Sequence, residues 1–305
     1  MMLNPILSFS ATRRMRTFRT LLVAGAYACV LLAIAVVMMG RFFRPAVSPV
    51  YMSQGLDCYA VMLAAQFALL VLIAPAMTSG AIAGERERQT LELLLVTQTG
   101  SFRIVLGKAL ESFALLALLI VCGLPPVCLC LMTGGITFLQ ILLGDAFLLA
   151  VAFGAVCVGL FCSALSRSTM MSTVLSYLML LAAGVVTALP FLLGYPQRIT
   201  DVVYDSAAYA DLTAAGALGM ISPLLLMNPG YGLAALIQGQ TMLLNSRMEY
   251  SSWGRILCTW LVMDRAGCET VALLSAGMIA LGGIVLLVLA SLLVRPRDRK
   301  LKQKG

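Results

Sequence analysis

Four charged residues in succession, Glu85, Arg86, Glu87 and Arg88, open the segment from Gly84 to Gly100, and Thr90, Leu91, Glu92, Leu94 and Leu95 follow. Carboxylates alternating with guanidiniums make no catalytic set. They make charge-assisted hydrogen bonds, to each other or to a partner surface. Glu85 and Arg88 are three residues apart and Arg88 and Glu92 four apart, and on a helix each such pair stabilises by about 0.2–0.5 kcal/mol. Leu91, Leu94 and Leu95 form an apolar face, and Thr97 to Gly100 reads as a stop. The spacing predicts a short helix lying along a membrane surface with its charges in water. A plainer reading is a solvated charge run that only helps topology. Topology, however, is set by lysine and arginine, and acidic residues contribute little to it. The alternating acids therefore favour a segment that docks another protein.

Acid–base chemistry has two candidates inside apolar runs, Glu111 and Asp145. An ionisable residue in a membrane span is a functional candidate by default. Glu111 belongs near the inner end of its span and Asp145 near the outer end of the next, roughly 20 Å apart along the membrane normal at a rise of about 1.5 Å per residue. General acids and bases work within hydrogen-bond reach or through one water, so these two are not a catalytic pair. Glu111 is expected to pair with Lys108 one turn away, and Asp145 to lie near enough to the outer surface to meet water. The chain has no histidine, which removes histidine metal sites and serine–histidine proteases. A phosphate-binding loop needs G-x-x-x-x-G-K-[ST] between a strand and a helix. The nearest text, Gly100 through Gly107-Lys108-Ala109, has the wrong spacing, ends in alanine and opens an apolar run. Neither enzymatic activity nor a resident cofactor or metal is expected in this chain.

The elements that carry these residues follow from composition. With 61% hydrophobic and 11% charged residues and a mean hydropathy of +0.99, the chain is too apolar for a soluble domain. A bilayer core takes about 20 apolar residues per helix. Six such runs lie near Leu21–Met39, Leu56–Ala81, Ile104–Met132, Leu139–Leu165, Met170–Leu193 and Thr270–Val294. The first run has no small-residue cleavage site and is expected to stay in the mature chain. Pro75 and the Pro125-Pro126 pair are expected to bend the second and third spans. With both termini inside, fifteen of the 21 lysines and arginines, from Arg13 to Lys304, fall on the cytoplasmic side. That bias fixes the orientation and places the 84–100 loop in the cytoplasm.

Four regions remain. Leu3, Leu7, Ala11, Met15, Phe18 and Leu22 fall on one helical face with Arg13, Arg16 and Arg19 turned away. With Arg14, they predict a basic helix over residues 1–20 lying on an anionic inner leaflet. The fairly apolar stretch Asp211–Gln240, broken by Pro223 and Asn228-Pro229-Gly230, reads as a re-entrant or outer-surface element within a long outer segment, 195–269. Trp253, Ile256, Leu257, Trp260 and Leu261 then suit either an interfacial helix or a packed loop. A basic tail, 295–305, closes the chain. Of the nine cysteines, Cys122, Cys128 and Cys130 read as packing residues, and Cys258 and Cys268 share the outer side without implying a bridge. Gly277, Gly282 and Gly283 permit close helix approach.

The loop run Glu85 to Leu95, followed by Ile104-Val105-Leu106-Gly107-Lys108, resembles the signature of type-2 ABC exporter permeases. The opening Asn4-Pro5-Ile6-Leu7, the Ser166-Arg167-Ser168 turn and Asn228-Pro229 before the last span resemble the same family. Gln89 departs from a frequent glycine and Gln98 from a common proline. The resemblance spans nearly the whole chain. It implies one permease domain, all-α and polytopic, with an N-terminal elbow helix, six spans, a cytoplasmic coupling helix and a long outer segment. The coupling helix (Glu85, Arg86, Glu87, Arg88, Thr90, Leu91, Glu92, Leu94 and Leu95) would seat in an ABC ATP-binding subunit. That subunit would bind ATP and magnesium, and a second permease chain would complete a homo- or heterodimer. The expectation is ATP-driven export across a bacterial-type plasma membrane, with membrane lipids as partners and no nucleic acid. The absence of a charged groove in the spans suits a hydrophobic or amphipathic cargo. A different class is a non-transporting scaffold or sensor that docks a soluble partner through the same loop.

Overall fold

Long apolar stretches whose backbone groups find no partner in lipid close their hydrogen bonds within themselves, as helices. A computed structural model of the protein describes residues 18–42, 53–89, 101–132, 136–192, 226–244 and 265–294. Helices take up 95% of the described residues and none of these forms a strand, so the chain is an all-α protein. In order, the helices are α1 (Phe18–Phe42), α2 (Ser53–Thr78), α3 (Gly80–Glu87), α4 (Ser101–Met132), α5 (Phe138–Leu165), α6 (Thr169–Leu192), α7 (Pro229–Leu244) and α8 (Arg265–Val294).

Six helical segments are long and apolar enough to cross a membrane: Thr20–Gly40, Gly55–Glu87, Phe102–Met132, Phe138–Leu165, Thr169–Ala188 and Cys268–Val294. Each overlaps one expected span. The second runs six residues beyond its expected end at Ala81, so that it carries Glu85, Arg86 and Glu87 as the tip of a long helix. Both proline sites lie inside helices: α2 continues three residues past Pro75, and α4 runs through Pro125-Pro126.

α5 is the hub. Two thirds (67%) of its apolar window is buried, against 11% for α6 and 17% for α1. Gly144, Gly154 and Gly159 on α5 let neighbouring helices approach closely: a Cβ at Gly159 would run into Thr78 of α2, and one at Gly144 into Tyr59. α8 and α2 flank the hub, α4 packs against it, and Phe113 and Phe153 meet edge to face at 6.0 Å. The outward residues of α6, among them Met170, Val174, Leu178, Leu181 and Val185, are large, apolar and exposed. That arrangement suits lipid tails, against which exposed leucine costs nothing.

α7 is too short to be a span. Asn228, just before it, donates to the Gly184 carbonyl, midway along α6, and Met227 approaches Gly282, midway along α8. From there α7 runs antiparallel to α8: Gly232 faces Ser275, and Gly239 faces Cys268. Of the stretch read as re-entrant or surface, residues 229–240 thus belong to a half-length helix beginning within the bundle. Its N-terminus is capped by its own asparagine, whose Oδ1 accepts from the Gly230 and Tyr231 amides at 2.9 and 3.4 Å. A cavity of about 440 Å³ opens beside that cap, walled by Phe67, Val151, Ala183, Met227 and Leu286.

The elbow segment up to residue 17, residues 195–225 and 245–264 of the outer segment, and the tail 295–305 lie outside the described residues. Arg13, Arg14 and Arg16 are among them, and Arg19 falls in the first turn of α1. The Cys258–Cys268 question lies there too, through Cys258.

Candidate functional site

The charged segment begins on α3, and α3 is held by a serine from another helix. Ser163 Oγ on α5 accepts from the Ile82 and Ala83 amides at 3.0 and 2.9 Å and donates to the Ser79 carbonyl at 2.7 Å. A hydroxyl inserted into the i→i−4 ladder is a known cause of helix breaks, and the break between α2 and α3 falls at Ser79. The Ser79 hydroxyl in turn shares a hydrogen bond of 2.8 Å with Thr173 on α6. Gly80 and Gly84, one turn apart, present bare backbone to the Thr169 methyl. A short, glycine-faced helix is therefore fixed against the start of α6 and the end of α5.

Three charges of the loop then bind the membrane domain itself. Glu85 reaches Lys108 on α4 at 2.6 Å. Arg86 Nη1 donates to the Ser166 carbonyl at the end of α5 at 3.0 Å. Glu87 Oε2 accepts from the Thr169 hydroxyl at 3.0 Å and its amide at 3.3 Å, which caps α6. A carboxylate at a helix N-terminus also meets the favourable end of the helix dipole. Lys108 bridges further to the buried Glu111 at 3.8 Å, the pair expected from their spacing.

Of the short helix expected within Gly84–Gly100, only residues 84–89 are among the described residues. α3 ends at Glu87, and Gln89 takes a left-handed φ of 57°. Glu85 and Arg86 turn toward α4 and α5, and the turn at Arg88–Gln89 redirects the chain. The Arg88 side chain is exposed. Thr90, Leu91, Glu92, Leu94 and Leu95 lie outside the described residues. The structure thus brings Glu85, Arg86 and Glu87 together with Lys108, Ser166 and Thr169.

Sequence reasoning missed Ser163, Ser79 and Thr169 as the residues that hold the junction. Their signal was faint: small hydroxyls in or beside apolar helices, satisfied by backbone. Asp145 also departs from expectation. It is 6% exposed, and neither carboxylate oxygen has a hydrogen-bond partner among the described residues. It faces the bundle interior instead of water because Gly144, beside it, seats against Tyr59 and Leu63. Cys130 donates to Cys58 at 3.3 Å, and among the described residues no three Cys, Asp or Glu side chains converge as a metal site.

Set beside known proteins, the chain matches no family model and no curated protein.

Proposed function

We propose that the chain is the membrane subunit of an ATP-driven exporter, and that the segment from Glu85 onward is where a separate ATP-binding subunit docks. The observation that carries this reading is the three-way attachment of α3: Glu85 to α4, Arg86 to the end of α5 and Glu87 to the start of α6. A push on the loop would reach three spans directly and the second span through the Ser79–Ser163 junction. A scaffold that only captures a partner has no need of that linkage. Closure of an ATPase dimer beneath the membrane would supply the push, with ATP and magnesium held by the partner.

The cavity beside Asn228 supports an apolar or amphipathic cargo, since its walls are largely side chains of phenylalanine, valine, methionine and leucine. The exposed apolar face of α6 suits a second permease chain as well as lipid. In this reading the chain is multi-pass in the plasma membrane, with both termini and the loop on the cytoplasmic side.

The test is co-purification of the full chain with candidate ATP-binding subunits, followed by flux in proteoliposomes. Arg88→Glu combined with Glu92→Lys spares Glu85, Arg86 and Glu87 and inverts the charges that follow them. The expected result is a nucleotide-hydrolysing partner bound by the natural chain and released by the variant. Binding of a soluble partner without ATP-dependent flux would favour the scaffold. Failure of any ATPase to bind would end the exporter reading.

A further inference from the structure

The cavity of about 440 Å³ beside Asn228 draws its walls from four spans. Phe67 comes from α2, Val151 and Ala155 from α5, Gly184 from α6 and Gly282 from α8. Each of these lies more than a full turn from either end of its helix. In helices that cross a bilayer, that is the depth of lipid tails and not of headgroups.

The floor is closed and the mouth is open. Val151 and Ala155 are buried, whereas Ala183 and Met227 line the same cavity and are exposed. α6 packs on α5, α3 and α2, and α8 packs on α5, α7 and α4. The helix they share, α5, is thus the floor, and the space between α6 and α8 is the mouth. Its rims carry Leu181 and Val185 on α6 and Leu281 and Val285 on α8, all large, apolar and exposed. The mouth therefore opens onto surfaces that lipid tails cover.

The wall has two polar side chains, and both are spent on the chain itself. Asn228 donates to the Gly184 carbonyl at 3.3 Å and accepts from the Gly230 and Tyr231 amides. The Thr187 hydroxyl donates to the Ala183 carbonyl at 2.6 Å. A polar headgroup in this space would lose its hydration and find no side-chain partner. Water has too few polar partners to fill an apolar cavity, and an empty one forfeits the dispersion contacts of its lining. A flexible hydrocarbon chain meets every one of these conditions, and the bilayer supplies it at the mouth.

We propose that the cavity is a binding site for one acyl chain of a bilayer lipid, entering sideways between α6 and α8 past Met227. The site needs the six apolar helices to cross a membrane, and it needs no ATP-binding partner.

The test is photolabelling of the full chain in nanodiscs of phosphatidylcholine that carries a diazirine near the end of one acyl chain, with adducts mapped by peptide mass spectrometry. Gly184→Phe and Gly282→Phe each fill the cavity from a position with room. A Cβ at Gly184 meets no neighbouring helix within 4 Å, and one at Gly282 meets only the Met227 methyl, at 3.8 Å. The expected result is adducts on the floor, at Val151 or Ala155, besides those on the outward Leu181 and Leu281. Either variant should cut the floor adducts severalfold and leave the outward ones unchanged, and a diazirine on the headgroup should not reach the floor. Unfolding temperatures show whether the variants fold; if neither does, the labels on the natural chain decide. Absence of floor adducts from the natural chain overturns the proposal, as it would if a second copy of the chain filled the mouth. Floor labelling by a water-soluble diazirine overturns it too, and so do floor adducts that persist in full in both folded variants. No ATPase or flux enters the measurement, so its failure is distinct from failure of the exporter reading.

Discussion

Two polar clusters sit in this bundle, and they are built on opposite principles. At the α3 junction, Ser79, Ser163, Arg86, Glu87 and Thr169 each have a named partner at hydrogen-bond distance. At Asp145, two buried carboxylate oxygens have none among the described residues. A satisfied network in a low-dielectric setting is stiff, and each bond depends on the rest. A network with open valences is costly unless something completes it. The first design suits transmission of force, and the second leaves a buried carboxylate that costs stability.

The contrast can be broken by substitution, and the largest effect is expected at its structural root. Gly159→Leu places a side chain where Thr78 already sits, one residue before the junction. Overpacking of that kind costs about 1–3 kcal/mol and occasionally more, and unfolding in detergent should show the chain destabilised or unfolded. Ser163→Ala comes next. It strips the Ile82 and Ala83 amides and the Ser79 carbonyl of a shared partner, at a cost of about 1–3 kcal/mol. Hydrogen exchange at Ile82 and Ala83 should quicken while exchange in α8 does not.

Asp145→Leu should have the opposite sign. Exchanging a buried, unpaired carboxylate for an apolar side chain of similar size should stabilise the chain by about 1–3 kcal/mol, following the behaviour of buried ionic groups. If Asp145→Leu instead destabilises as Ser163→Ala does, the two clusters are of one kind and the comparison fails. The smallest effect belongs to Lys108→Met. Its contact with Glu85 is about one quarter exposed, and such pairs are worth about 0–1 kcal/mol. Its unfolding midpoint should stay near that of the natural chain.

The six spans were legible because length and hydropathy alone decide which segments cross a bilayer. Particular residues show where that legibility stops. The Glu111–Lys108 pair was readable, since both residues lie on one helix at i, i+3 spacing. Glu85 was readable as a charge but not as the partner of Lys108, because that contact spans two helices and the chain reversal between them. The expected Glu85–Arg88 pair rested on local spacing worth tenths of a kcal/mol. The contact of Glu85 with Lys108 competes with that pair directly. Asp145 looked wet from its position near a helix end, and only the packing of α2 and α4 around it shows otherwise.

The amino-acid sequence by itself determined that this is an all-α protein of six apolar spans with a dense charge cluster after the second. Those properties are sums over local composition and need no knowledge of neighbours. Tertiary structure alone decided that Ser163 breaks the second span, that α7 starts partway along α6 and α8, and that Asp145 is buried in the interior. Each of those depends on which helix faces which. Glycines on α4 and α5 settle that by close approach, which hydropathy does not encode.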